Sequence, residues 1–203
     1  MNVRHMGDAG LLVETEHSDA AQNLRRVLMT QSIQGVRQLV PGYQSLLVVV
    51  DPLVTDLDTL AQRLPALLRT SAPAPSIRYH EVPVQYGGDH LVDAARQLGM
   101  SMEEVVRRHS DATYRVAFLG FTPGFPYLTG LDPKLQLPRL TTPRLRTPQG
   151  GVAMAGEFTG IYPSATPGGW HVLGITALKI FDATRVQPAL FSPGDQVRFR
   201  ILS

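Results

Sequence analysis

Three arginines stand within eight residues of one another, in Pro138-Arg139 and Pro143-Arg144-Leu145-Arg146, on loops stiffened by Pro138, Pro143 and Pro148. A guanidinium on a rigid mount suits a carboxylate or phosphate, because its planar fork makes two parallel charge-assisted hydrogen bonds. Arg139 and Arg144 are the stronger candidates, and Arg146 reads as surface. The plainer reading of each is a solvated surface charge. Just upstream, Gly120-Phe121-Thr122-Pro123-Gly124-Phe125-Pro126-Tyr127 follows a strand. Its prolines fix backbone angles and its glycines let the chain turn, so Phe121, Phe125 and Tyr127 can be held as a pocket lining at low ordering cost. The same aromatics could simply close a core.

Pro167-Gly168-Gly169-Trp170-His171 presents the chain's one tryptophan beside two glycines, either as core or as a pocket wall. Gly150-Gly151 and Ala155-Gly156 offer backbone N–H groups to an anion. His109 closes a helical pattern, where the helix dipole favours a charged imidazole. It is a candidate general acid/base, or a helix cap. His171 reads as structural.

Much chemistry is excluded. With no cysteine there is no disulfide, no thiolate nucleophile and no cysteine-based metal site. The six histidines show no metal-ligand spacing, so no metal is expected. Neither a P-loop, a dinucleotide fingerprint nor a G-x-S-x-G elbow is present. What remains is a mildly cationic, Gly/Pro-shaped pocket, short of a full catalytic set.

The elements that must position these residues follow from patterning. Residues 118–174 hold 10 of the 18 glycines and 8 of the 16 prolines, which favours short strands and shaped loops over helix. Upstream, strands are expected at 2–14, 35–40 and 45–50, with helices from Ser18 or Asp19 to about Met29 and from Thr55 to Arg69, the latter kinked or ended by Pro65. That order suggests a ferredoxin-like α+β domain over 1–76, closed by the Ala/Pro/Ser linker 70–76. Asp89 is expected to cap one short helix, and Ser101-Met102-Glu103-Glu104 is a capping box opening another. The pair resembles a helix-turn-helix, but two glutamates at the recognition end argue against nucleic acid. From Tyr114 on, strands at 115–119, 151–155, 171–176, 177–181 and 197–202 indicate a barrel or sandwich within 77–203. Residues 1–111 carry a net charge of −3 and residues 112–203 a modest, dispersed +5, which suggests an anionic ligand or partner for the second part. The first seventeen residues are charged throughout and form neither a signal peptide nor a membrane span; with the lack of thiols this points to the cytoplasm.

The stretch GFTPGFPYLTGLDPKLQLPRLTTPRLRTPQGGVAMAGEFTGIYPSATPGGWHVLG closely resembles the allophanate hydrolase subunit 1 family, also called the KipI family, which includes the B-type subunit of 5-oxoprolinase. Gly7-Asp8, His109, Tyr114 and Ser192-Pro193-Gly194-Asp195 extend the likeness over nearly the whole chain. The resemblance implies an N-terminal α+β domain and a mainly β, cyclophilin-like barrel, without implying prolyl isomerase activity. It implies a homologous subunit 2 and a third subunit, acting together in the ATP-dependent opening of 5-oxoproline to glutamate, with ATP not necessarily held by this chain. Related members are carboxyltransferase parts of urea metabolism, and a KipI-like member inhibits a sensor histidine kinase. Ile175 stands where many relatives have an arginine. In the 5-oxoprolinase reading, Arg139 and Arg144 hold an anion, His109 moves a proton, and Phe121, Pro123, Gly124, Phe125, Tyr127, Gly156, Tyr162, Gly168, Gly169 and Trp170 shape the pocket.

Overall fold

A computed structural model describes residues 1–73, 76–88 and 90–202. Part of the expected linker, at 74–75, and the expected cap Asp89 lie outside the described residues. Contacts divide the chain into two compact units, Met1–Ser76 and Ile77–Ser203.

In the first unit β1 (Asn2–His5), β2 (Gly10–Glu14), β3 (Val36–Pro41) and β4 (Ser45–Val50) form an antiparallel sheet in the order β1-β2-β4-β3, with α1 (Ser18–Gln31) after β2 and α2 (Leu57–Arg69) after β4. Alternation in β4 buries Leu46, Val48 and Val50 on one face, where they meet Leu24 and Leu28 of α1 and Leu60 and Leu64 of α2. Asp56 caps α2 by accepting from the Thr59 amide. Two expectations need correction. Ser18 is the first residue of α1, and the capping position falls to His17, which makes no side-chain cap. Pro65 does not end α2, because the burial of Leu60, Leu64 and Leu67 carries the helix on to Arg69.

The second unit contains β5 (Tyr79–Tyr86), α3 (Leu91–Leu98), α4 (Met102–Asp111), β6 (Thr113–Leu119), β7 (Pro126–Thr129), a 3-10 turn at Pro133–Leu135, β8 (Arg144–Thr147), β9 (Gly151–Ala155), β10 (Phe158–Ile161), β11 (Thr166–Gly168), β12 (His171–Ile175) and β13 (Gln196–Ile201). Seven strands close a barrel in the order β10-β7-β6-β13-β5-β12-β9, and β8 pairs with β11 as a separate ribbon. Ser101 accepts from the Glu104 amide, as the capping box requires, and α4 runs two residues beyond His109. Barrel closure is latched at one end by Asp195, whose buried carboxylate accepts from Arg78 Nη2 at 2.8 Å and from the Ser192 amide at 2.9 Å, with His80 Nε2 at 3.0 Å. These bonds tie the start of β13 to the start of its parallel neighbour β5.

The strand expected at 177–181 does not form. Only Phe181 makes a bridge, to Ala189. The barrel has already closed without this segment, so no strand edge remains for it to pair with. Ile180 instead buries its side chain in the core. No helix among the described residues is long and apolar enough to cross a membrane.

Candidate functional site

The aromatics singled out in the sequence converge. Phe125 sits at the centre, with ring centroids 5.6 Å from Phe121, 5.1 Å from Tyr127, 5.1 Å from Tyr162 and 5.3 Å from Trp170, all edge-on. Edge-to-face packing at these separations is favourable because the positive ring edge meets the negative face. Phe125, Tyr162 and Trp170 are buried and form the backing of the wall. Phe121, 61% exposed, and the half-buried Tyr127 present their rings outward. Sequence reading missed two members, Phe118 and Phe158. Phe118 lies opposite Tyr127 across the β6–β7 pair and stacks on it at 4.2 Å. Phe158 meets Tyr127 edge-on at 5.6 Å.

The turn that carries Phe121 is tightly specified. The Gly120 amide donates to Phe125 O and the Phe125 amide to Thr122 O, with exposed Pro123 inside the turn. Phe121 has a φ of +63°, a conformation costly for a residue with a side chain. Gly124 has a φ of +82°, and a Cβ there would lie 2.8 Å from Phe181. A close approach also explains Gly168, where a Cβ would collide with Tyr162 Oη.

Arg139 is exposed beside this wall, and its short segment is tethered three times. The Gly156 amide donates to Leu137 O at 2.6 Å, His171 Nε2 to Pro138 O at 3.0 Å, and the Leu140 amide to Gly169 O at 2.8 Å. A carbonyl only accepts, so His171 carries its proton on Nε2. Burial raises the pKa of both the Tyr127 and Tyr162 phenols, and in both the nearby Arg139 charge works against that rise. The guanidinium is therefore close enough to act on both phenols.

Gly156 and Gly169 thus serve the arginine mount rather than a ligand directly. Nor do the glycine amides form an anion cradle. Gly150 donates to Tyr162 O, Gly151 to Pro148 O and Gly156 to Leu137 O, so these donors are committed within the protein. The acidic first turn of α4, with Glu103 and Glu104, is equally unsuited to phosphate. These glycines and the start of α4 therefore do not form a phosphate cradle.

Arg144 differs from Arg139. It is half-buried on β8, cross-strand from Gly168, and its Nε donates to His90 Nε2. The His90 ring stands edge-on to His171 at 6.1 Å. Arg144 is therefore braced by His90 behind the mount, whereas Arg139 is exposed and its charge is felt by the wall phenols.

His109 is corrected outright. It is fully buried, stacked on Phe199 at 4.7 Å, with Tyr86 Oη 2.8 Å from Nδ1 and Thr159 Oγ1 2.8 Å from Nε2. Thr159 spends its proton on Ala153 O, so it accepts from His109 Nε2, and Nδ1 accepts from Tyr86. Burial lowers the pKa of the ring to about 3. A neutral imidazole with both nitrogens used in the barrel core holds strands together and exchanges no proton with a ligand at the wall.

Residues 1–191 match the family model described as Carboxyltransferase domain, subdomain C and D. A protein of Escherichia coli O157:H7 named as the B-type subunit of 5-oxoprolinase is 37% identical over 202 residues, covering 96% of this chain and 93% of that protein. Its namesake in Haemophilus influenzae is 40% identical over 173 residues, covering 83% and 81%. Among solved structures, TTHA0988 superposes with a TM-score of 0.84 at 37% identity, covering 96% of this chain and 39% of that longer one. The urea carboxylase of Kluyveromyces lactis superposes with a TM-score of 0.79 at 20% identity, covering 99% of this chain and 22% of its own length, a likeness of fold alone. The chain belongs to the carboxyltransferase domain, subdomain C and D, family, with B-type subunits of 5-oxoprolinase among its relatives.

Proposed function

We propose that this chain is a non-autonomous subunit of an ATP-dependent 5-oxoprolinase, which opens 5-oxo-L-proline to L-glutamate together with a homologous subunit 2 and a third subunit in the cytoplasm. In this reading the first unit is a ferredoxin-like α+β domain and the second a cyclophilin-like barrel. The reading takes its substrate from the names the relatives carry. The structural observation that supports it is the triply tethered Arg139 beside an aromatic wall. A guanidinium on a tethered backbone selects a small carboxylate, and the rings of Phe121 and Tyr127 exclude water from the uncharged lactam beside it. Because the tethers hold the backbone on both sides of Arg139, little is lost in ordering it when the anion arrives.

His109 is sealed in the core, and among the described residues the titratable groups at the wall are the Tyr127 and Tyr162 phenols, both with pKa raised by burial, and Arg139. In this reading the partner chains complete the acid–base set and hold ATP. Mixing the chain with subunits 2 and 3, 5-oxoproline and ATP should release glutamate; no turnover in the reconstituted complex would sink the reading.

A second reading is favoured by the family description and by the fold shared with urea carboxylase. In it the chain is a carboxyltransferase or allophanate hydrolase-type subunit of urea metabolism, and Arg139 holds the transferred carboxylate. It requires a biotinylated partner, so activity that survives without one decides between the two.

A further inference from the structure

The N-terminal unit carries an open groove of about 440 Å³ between α1 and the edge strand β3, lined by none of the residues of the aromatic wall or the arginine mount. Its apolar side is built by Leu28, Ile33, Val36 and Leu39, and its polar side by Ser32, Gln38 and the two cations Arg25 and Arg37. Arg37 is already neutralised, with Nη2 2.5 Å from Asp51. Arg25 is not. It is half-buried, its Nε is inaccessible to solvent, and among the described residues it has neither a carboxylate partner nor a hydrogen-bond acceptor. Burial lowers its pKa, and the like charge of Arg26 lowers it further. Arg26 offers no compensation, because its guanidinium reaches only Asn23 Oδ1, at 3.4 Å.

An unpaired, partly desolvated guanidinium beside aliphatic side chains is less favourable than one joined by an anion. A single guanidinium with no nest of amides is a poor match for free phosphate, which needs several donors. It matches one carboxylate, and the four aliphatic side chains match an apolar body attached to it. We infer that the α1–β3 groove binds a small amphiphilic carboxylate, its head on Arg25 and its body against the apolar side formed by Leu28, Ile33, Val36 and Leu39. This site shares no residue with the aromatic wall and does not rest on the 5-oxoprolinase reading.

Titration calorimetry on the full chain tests it, using octanoate, the neutral isostere octanol, and inorganic phosphate as probes. Octanoate should bind, and binding should shift the methyl resonances of Ile33 and Val36. Octanol and phosphate should each bind roughly tenfold or more weakly, the scale of a lost charged hydrogen bond. Arg25→Met should weaken octanoate by a similar factor, while Arg26→Met, outside the groove lining, leaves it within about twofold. Ile33→Glu, which sets a carboxylate against the apolar wall, should abolish binding and serves as the second variant. Equal binding of octanol, equal binding of phosphate alone, or full octanoate affinity in Arg25→Met would each overturn the inference.

Discussion

His171 donates from Nε2 to the carbonyl of Pro138 at 3.0 Å, one residue before Arg139. A buried ring on a barrel strand thereby fixes the backbone of an exposed loop arginine. Among the described residues His171 Nδ1 has no partner, so Nε2 makes the ring's one hydrogen bond there. His171→Phe should leave the fold intact while loosening the mount. The expected effect is a KM for 5-oxoproline raised roughly 5- to 30-fold with kcat less affected, the worth of one or two kcal/mol of positioning. An unchanged KM would show that the tether has no role.

Phe121 and Phe125 touch each other but should answer differently to truncation. Phe121 is exposed with a positive φ, so Phe121→Gly relieves backbone strain as it loses ring contacts, and stability should change by less than about 1 kcal/mol. Phe125 is buried at the centre of the wall, and Phe125→Ala should cost about 3–5 kcal/mol. Denaturant melts compare the two. Turnover of the reconstituted complex should nevertheless fall in Phe121→Gly, because that ring faces outward.

Gly168 lies so close to Tyr162 that Gly168→Ala should destabilise by about 1–3 kcal/mol through overpacking. Adding Tyr162→Phe removes the clashing oxygen and should restore part of that loss in a double-mutant cycle. Independent, additive effects would mean that the contact is not the cause.

His109 sets a pH dependence. Its folded pKa, about 3, lies below the ordinary 6.5, so the unfolded chain takes up the proton first as pH falls. The stability conferred by the neutral ring is complete above about pH 6.5 and is lost progressively toward pH 3, at about 1.4 kcal/mol per pH unit for one proton. His109→Phe should be less stable at pH 7, because it leaves Tyr86 and Thr159 without their partner, and should show a shallower decline between pH 6 and 4. Parallel slopes would contradict the assignment.

The aromatic wall was legible in the sequence because Gly/Pro density and ring placement are local properties, and the loop that carries Phe121 to Tyr127 is a local structure. His109 was not. A helix end looks solvent-facing until barrel closure brings Thr159, fifty positions away, and Tyr86 of another strand onto its two nitrogens. The role of Gly156 and Gly169 was hidden for a similar reason. Their small size is visible in the sequence, but which backbone donor or acceptor is free depends on strand register. The bracing of Arg144 by His90 joins residues 54 positions apart and carries no local signal.

In the proposed complex this chain contributes an arginine on a tethered backbone and an aromatic wall to a site that its partners complete. The most direct measurement is glutamate release from 5-oxoproline and ATP by the chain reconstituted with subunits 2 and 3, comparing the native sequence with Arg139→Met. Arg139 is exposed and its segment is held through backbone atoms, so the variant should fold and assemble. The account predicts turnover only in the complex, with kcat/KM reduced by roughly 10²-fold in Arg139→Met, the scale of a lost charge-assisted pair. Full activity in Arg139→Met, or turnover by this chain alone, would contradict it.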